Sequence, residues 1–233
     1  MKKLQLLTTT AALLLLLAGG AAGTARAQDT NVDPEAKTER TAVDDLALAD
    51  QLYLMGLEAE DPVLLIAAAR IYAATPAEER DYEAVDDDES DAPQPAERAD
   101  RPSLEAALEA ARTHADDQPD LVAVIDEMES VAPRGRVRGP GTASGRVGAG
   151  RQVTYYGDTT RFRGGEPATI TIQGYGVSDL DLFVFDENGN EICRSVRGSD
   201  RERCDWYPRW TGPFRVEVRN YGNRAADFIL RTN

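Results

Sequence analysis

The chain has very little of the side-chain chemistry that enzymes commonly use. Its 233 residues include one histidine, His114, and two cysteines. The sequence contains no G-x-S-x-G, H-E-x-x-H or P-loop pattern, and His114 has no nucleophile pattern around it. Carboxylates are abundant, but they lack the apolar surroundings that separate the pKa values of a catalytic pair. The sequence therefore predicts a protein that is not an enzyme, with a hydrolase of unknown type as a less favoured alternative.

Long apolar runs are absent except at the N-terminus. Two lysines precede an apolar stretch over residues 4–18, and residues 25–27 read Ala-Arg-Ala, the small-x-small pattern of a cleavage site. The apolar stretch is shorter than the ~20 residues that a transmembrane helix needs. We therefore predict a cleaved signal peptide over residues 1–27, cut between Ala27 and Gln28, with no transmembrane anchor afterwards. Such a chain is expected to be a periplasmic or secreted bacterial protein.

Negative charge is concentrated in one half of the chain. The net charge is −15, and 29 of the 41 acidic residues lie between Gln28 and Ala132. Such a segment repels phosphate groups, so nucleic acid is excluded as a partner of this half. The partners that remain are a protein or an extracellular or cell-envelope polymer.

The first half of the mature chain has the pattern of helices. Apolar residues recur at three-to-four spacing, Asp61-Pro62 is typical of a helix start, and Ser103 is a candidate N-cap. The pattern predicts two helical hairpins packed as a small bundle over residues 41–132. Residues 28–40 are predicted as a disordered leader, 77–101 as a disordered acidic insert and 133–150 as a Gly- and Arg-rich linker.

Residues 151–233 have the pattern of an antiparallel β-sandwich. Short apolar runs alternate with turn residues, and residues 187–190 read Glu-Asn-Gly-Asn, a strong hairpin turn. The expected fold class is therefore α+β in separate modules, with the helices first and a jelly-roll-like sandwich last.

One string within this half resembles a known family. Residues 179–190 read Asp-Leu-Asp-Leu-Phe-Val-Phe-Asp-Glu-Asn-Gly-Asn, similar to the strand and turn of bacterial pre-peptidase C-terminal domains. Residues 214–218, Asn220 and residues 228–230 also match that pattern. The resemblance implies a small β-sandwich of the kind found at the ends of secreted bacterial proteins, often proteases. This chain departs from the family by its cysteine pair and by carrying no protease, so the role of protease accessory does not carry over.

The two cysteines are Cys193 and Cys204. An even number of cysteines in an exported protein favours a disulfide, here between two strands joined by a polar loop. The alternative is a metal pair, which lacks a nearby histidine or third cysteine.

Two further groups are candidate binding residues. Asp179, Asp181, Asp186 and Asn188 carry oxygen atoms suited to Ca²⁺, although all four are also ordinary cap and hairpin residues. No other cofactor is expected.

Trp206, Tyr207 and Trp210 offer enough ring surface to stack on a carbohydrate, although such rings are more often core residues. Taken together, the sequence predicts an exported, non-enzymatic binding or scaffolding protein. The alternative is an accessory module that binds calcium or carbohydrate.

Overall fold

The computed structural model describes residues 29–86, 101–131, 139–157, 160–175 and 179–233. The predicted signal peptide, with its cleavage site at Ala27 and Gln28, lies outside the described residues, as do residues 87–100 of the acidic insert. Four helices in the N-terminal half and a β-sandwich in the C-terminal half confirm the predicted fold class. None of the helices in these ranges is long and apolar enough to span a bilayer.

Two of the four helices begin where the sequence predicted. The helices are α1 (Ala42–Ala59), α2 (Pro62–Ala74), α3 (Leu104–His114) and α4 (Pro119–Val131). The Asp61 carboxylate accepts a hydrogen bond from the Val63 amide at 2.8 Å, and the Ser103 hydroxyl accepts one from the Ala106 amide at 3.1 Å. Each bond satisfies an amide that the first turn of a helix leaves unpaired.

The helices share one apolar core. The buried residues Leu46, Leu65, Leu108 and Ile125 represent all four helices in it. Gly56 allows α1 and α2 to approach closely, since a Cβ at this position would lie 2.7 Å from Cγ of Leu65. A larger residue at position 56 would therefore push the first two helices apart.

Within the described ranges, twelve strands form the sheets. They are β1 (Glu78–Glu79), β2 (Glu83–Asp86), β3 (Gly141–Val147), β4 (Gln152–Tyr156), β5 (Arg161–Phe162), β6 (Ala168–Gly174), β7 (Leu180–Phe185), β8 (Glu191–Ser195), β9 (Arg201–Trp206), β10 (Gly212–Pro213), β11 (Arg215–Asn220) and β12 (Ala226–Thr232). Sheet A has the order β1-β3-β12-β6-β9, and sheet B has the order β2-β4-β11-β7-β8. Strands β5 and β10 form a separate short ribbon.

Strand alternation places an apolar core between the two sheets. Leu180, Leu182 and Val184 of β7 and Val216 and Val218 of β11 are fully buried. Their neighbours along each strand point to the outer face because successive side chains alternate. The two inner faces pack together as in other β-sandwiches.

The predicted disulfide is confirmed, with a different placement. Cys193 and Cys204 are bonded, and their Cα atoms are 5.8 Å apart. They were expected on two strands paired with each other, but Cys193 lies on β8 of sheet B and Cys204 on β9 of sheet A. The bond therefore ties the two sheets together at one edge, and closure of so short a loop is worth about 2–4 kcal/mol.

The segment predicted as a linker over residues 133–150 contains β3, which corrects that boundary. β3 pairs with β12 along its whole length, from Gly141 to Val147. Its inward residues are small, and a Cβ at Gly145 would lie 2.3 Å from the ring of Phe228. Glycine and alanine are weak strand formers, so the composition resembles that of a linker although the pairing is regular.

The segment predicted as a disordered acidic insert also begins with structure. β1 pairs in parallel with β3, and β2 pairs with β4, so residues 78–86 supply an edge strand to each sheet. Between them, the Tyr82 ring packs edge-to-face on Tyr155, and its hydroxyl lies 2.8 Å from that of Thr232. Backbone pairing at a sheet edge does not require apolar side chains, which is why acidic residues occur there.

The helices pack directly on the outer face of sheet A. Helix α1 crosses β6 and β12, and its Asp50 forms a fork-like ion pair with Arg231 of β12. The Asp50 Oδ2 atom accepts from Arg231 Nε at 2.8 Å, and Oδ1 accepts from the Tyr72 hydroxyl at 2.7 Å. Both charged side chains are almost fully buried, with 1% of Asp50 and 3% of Arg231 exposed. The helices and the sandwich therefore share a charged interface.

The environment of this cluster shifts its pKa values. Burial raises the pKa of Tyr72, and the neighbouring Asp50 carboxylate raises it further. Burial alone would lower the pKa of Arg231, but the attraction and hydrogen bonding of Asp50 outweigh it, so the net shift is upward. Tyr72 therefore stays neutral and Arg231 stays charged.

We predict that Asp50→Ala lowers the free energy of unfolding by about 3–5 kcal/mol, because it leaves the Arg231 guanidinium buried without its negatively charged partner. Chemical denaturation measures this change. The double variant Asp50→Leu with Arg231→Met should recover most of the loss, since it removes both charges. Arg40→Ala, which breaks an exposed ion pair with Asp45, is the control and should cost less than about 1 kcal/mol. A loss of similar size in Asp50→Ala and Arg40→Ala would contradict the prediction.

Candidate functional site

The structure does not bring the four predicted cation ligands together. Asp179 and Asp181 lie at the start of β7, whereas Asp186 and Asn188 lie beyond its end. Asp186 follows Asp179 by seven steps along an extended strand, which separates the two residues by roughly 23 Å. In the described ranges, no group of three or more His, Cys, Asp or Glu side chains is arranged to hold a metal ion.

Asp186 instead organises its own hairpin turn and the N-terminal segment. Its carboxylate accepts from the amides of Asn188 and Asn190 and from the Asn190 side chain. It also accepts from the Asn31 amide at 3.0 Å. Asn31 is fully buried, and its own side chain bonds to the backbone of Trp210. The prediction of a disordered leader over residues 28–40 is therefore wrong for this part of the segment.

The hydrogen bonds to Asp186 shift its pKa downward. Burial alone would raise the pKa of this carboxyl, but the bonds from Asn190, Asn31 and Asn188 outweigh burial. The charged form of Asp186 is therefore the one that holds the N-terminal segment against the sandwich.

The aromatic residues predicted for carbohydrate stacking do not form one exposed platform. Trp206 is only 3% exposed and packs edge-to-face on Phe162, with 4.9 Å between ring centroids. Tyr207 and Trp210 are half-buried, and the Trp210 indole N–H donates to Glu187. Trp206 is a core residue because its strand points it between the two sheets.

The candidate site that the structure does show is a cleft between the helices and sheet A. Its volume is about 440 Å³. It is bounded by the ends of α2 and α3, by β1 and by the outer face of β3 and β12. The lining includes Leu46, Tyr72, Glu79, Arg101, Ser103, Leu104, Glu105, Thr142, Ile229 and Arg231.

Two paired strands supply the floor of the cleft. Thr142 lies opposite Arg231, and the next outward pair is Ser144 opposite Ile229. The Thr142 hydroxyl accepts from Arg231 at 3.3 Å. The buried Asp50 pair holds the Arg231 side chain in place, so this floor is rigid.

The wall of the cleft carries a second guanidinium. Arg101 comes just before α3, and it donates to the Ser144 hydroxyl and to the Glu79 carboxylate. Its side chain is 20% exposed and that of Glu79 is 55% exposed, so this ion pair is open to solvent. Ser103, the N-cap of α3, lies two residues further along the same wall.

Sequence reasoning missed the residues that build this cleft. Asp50 carried a usable signal, because it follows Leu46 by four residues and precedes Tyr53 by three, the spacing of the buried face of α1. Arg101 and Thr142 carried none, since nothing local distinguishes them from exposed polar residues.

No family model matches the chain, and no curated protein matches it. Solved structures similar to the β half include the pre-peptidase C-terminal domain of a collagenase from Bacillus anthracis, as the sequence resemblance predicted. That domain is 13% identical, with a TM-score of 0.34 over 40% of this chain and 87% of that one.

Two other similar structures are a mitogen from Yersinia pseudotuberculosis and PliG, a periplasmic inhibitor of g-type lysozyme from Aeromonas hydrophila. The mitogen is 16% identical, with a TM-score of 0.35 over 42% of this chain and 86% of its own. PliG is 17% identical, with a TM-score of 0.31 over 43% of this chain and 92% of its own. Similarities at this level do not transfer a function.

We predict that Asp186→Asn destabilises the protein by about 1.5–3 kcal/mol near pH 6, because it weakens several hydrogen bonds to a charged acceptor. A carboxyl whose pKa is lowered by folding contributes stability above its unfolded pKa of about 3.9, and loses it as the pH falls through the folded pKa. The difference between the two proteins should therefore shrink below about pH 3.9. Thermal melts from pH 6 to pH 3 measure this, with Asp116→Asn at an exposed site as the control. A difference that does not change with pH would contradict it.

Proposed function

We propose that this chain is an exported, non-catalytic binding protein that holds a small ligand, or the end of a protein or polymer chain, in the cleft between its helices and sheet A. The observation that carries the proposal is the cleft itself, whose floor is fixed by a buried ion pair. Its place of action is the periplasm or the cell exterior.

The size and lining of the cleft support binding. About 440 Å³ lies toward the small end of the range typical of ligand pockets. The half-buried Leu104 provides apolar contact, and a few hydroxyl and guanidinium groups provide orientation. This combination is the common composition of a small-molecule site.

The chemistry of the lining supports a role without catalysis. The hydroxyls of Ser103 and Thr142 accept hydrogen bonds from an amide and a guanidinium, which are not bases. A nucleophile needs a base within hydrogen-bond reach to be activated. His114 stands at the last position of α3, at the end opposite to the cleft.

Export is tested on the processed protein. We predict that the chain recovered from the cell envelope or the medium begins at Gln28, because the Ala-Arg-Ala pattern of residues 25–27 is a cleavage site. Intact-mass measurement and N-terminal sequencing check this. A chain that keeps residues 1–27 and stays in the membrane after a carbonate wash would contradict export.

The cleft is tested by filling it. Leu104→Trp places an indole in the space beside Thr142 and Ile229, and we predict that it abolishes ligand binding. Native mass spectrometry of the protein mixed with the small-molecule and short-peptide fraction of a bacterial envelope extract provides the measurement. Wild-type protein should show a bound adduct and Leu104→Trp should show none.

The matched control for this experiment is Val63→Trp, which adds the same ring at an exposed position of α2 outside the cleft. It should retain the adduct. An adduct that survives in Leu104→Trp would place the ligand elsewhere on the molecule, and the proposed site would then be wrong.

A further inference from the structure

We infer that the cleft recognises the carboxylate end of a short peptide, with the carboxylate on the donor groups of the floor and the rest of the peptide toward the mouth. This inference rests on the proposed function, and it assigns the chemical class of the ligand.

The floor and the wall of the cleft each carry a hydroxyl with a proton to donate. A hydroxyl has one proton to donate, and that of Thr142 already accepts from Arg231. Its proton is therefore directed away from the guanidinium. The Ser103 hydroxyl accepts from the Ala106 amide in the same way. A ligand acceptor that meets these hydroxyls can therefore receive their protons.

Two guanidiniums stand over the same strand of the floor. Arg231 donates to Thr142 and Arg101 donates to Ser144, and these hydroxyls are two residues apart on one face of β3. Residues in that relation are separated by roughly 7 Å along a strand. An acceptor placed between these hydroxyls lies near Arg101, whose planar fork matches a carboxylate, whereas the fork of Arg231 is occupied by Asp50.

The two guanidiniums differ in how easily they change partners. Arg231 is held by buried Asp50, and exchange there would strand a charge in the interior. Arg101 pairs with Glu79, whose side chain is half in solvent, and an ion pair open to solvent contributes little to stability. Arg101 therefore exchanges Glu79 for an incoming carboxylate at little cost.

The remaining lining favours a peptide over a simple organic acid. Glu79 and Glu105 are exposed at the mouth and offer acceptors to an amine or to backbone amides. Leu104, which is half-buried, offers apolar surface to a side chain. A short peptide carries a carboxylate, amide or amine donors and an apolar side chain on one backbone, whereas acetate carries only the carboxylate.

The test measures peptide affinity by calorimetry on the full chain. The probes are the tripeptide Ala-Leu-Ala, its C-terminal amide, its N-acetyl form and acetate. We expect the amide to bind about tenfold or more weakly than the free acid, because a hydrogen bond to a charged group is lost. Acetate should bind far more weakly than the tripeptide, and the N-acetyl form should lie between them.

Two variants, one in the wall and one in the floor, assign this effect to the cleft. Arg101→Gln and Thr142→Val should each remove most of the difference between the acid and the amide. Arg194→Gln is the control, since it removes a guanidinium from sheet B, where Arg194 pairs with Glu191. It should leave the difference unchanged. Circular dichroism checks that each variant is folded. If Arg101→Gln does not fold, the test relies on Thr142→Val, whose side chain has the same shape as that of threonine.

The outcomes separate this inference from the proposed function. Equal affinity for the acid and the amide would overturn the carboxylate assignment, even if Leu104→Trp still blocks binding. A second outcome is that no tripeptide binds, although Leu104→Trp still abolishes the adduct from the envelope extract. The assignment of the ligand as a peptide would then be wrong, while the cleft would remain the binding site. A preference for the acid that persists in both Arg101→Gln and Thr142→Val would place recognition outside the cleft and overturn the inference.

Discussion

The buried ion pair between Asp50 and Arg231 is the interaction on which the arrangement of the molecule depends. Removing both charges from water costs several kcal/mol for each ion, and only close geometry with further hydrogen bonds offsets that cost. The Tyr72 hydroxyl and the Thr142 hydroxyl supply those bonds. Apolar contact between a helix and a sheet is non-directional, whereas the fork of Arg231 donates to Asp50 with a defined geometry. The pair therefore fixes how α1 lies on β12.

The position of α1 in turn fixes the walls of the cleft. Helix α2 packs on α1 through the close contact at Gly56, and α3 packs on α2. The N-terminal end of α3 is thereby held above Thr142, with Arg101 just before it. Because these groups are set before a ligand arrives, binding avoids much of the entropy cost of ordering them. The ion pair that orients the helices is thus also what shapes the proposed site.

The parts of the fold that could be predicted from the sequence are those with local causes. Asp61 and Ser103 were identifiable as helix caps, because the cap and the amide that it bonds are two or three residues apart. The disulfide followed from the number of cysteines and the predicted export. Strand β3 could not be predicted, because its small residues are required by neighbours distant in sequence, such as Phe228. The cation and carbohydrate residues were grouped by proximity in sequence, whereas strand length and alternation separate Asp179 from Asp186 and bury Trp206.

The segments that looked least structured in the sequence turn out to hold the site together. Glu79 lies on β1, at the start of the acidic insert, and Thr142 lies on β3, within the predicted linker. The predicted linker lies between α4 and the sandwich, and the acidic insert lies between α2 and α3 but pairs with both sheets through β1 and β2. Both segments therefore pass the boundary between the two parts. Backbone pairing with the strands of sheet A fixes both segments there, although they bury little apolar surface. A boundary formed in this way is concave, polar and rigid at once, because two packed bodies meet over a strand edge. Those are the properties that a site for the end of a polar chain requires, and neither half of the protein would have them alone.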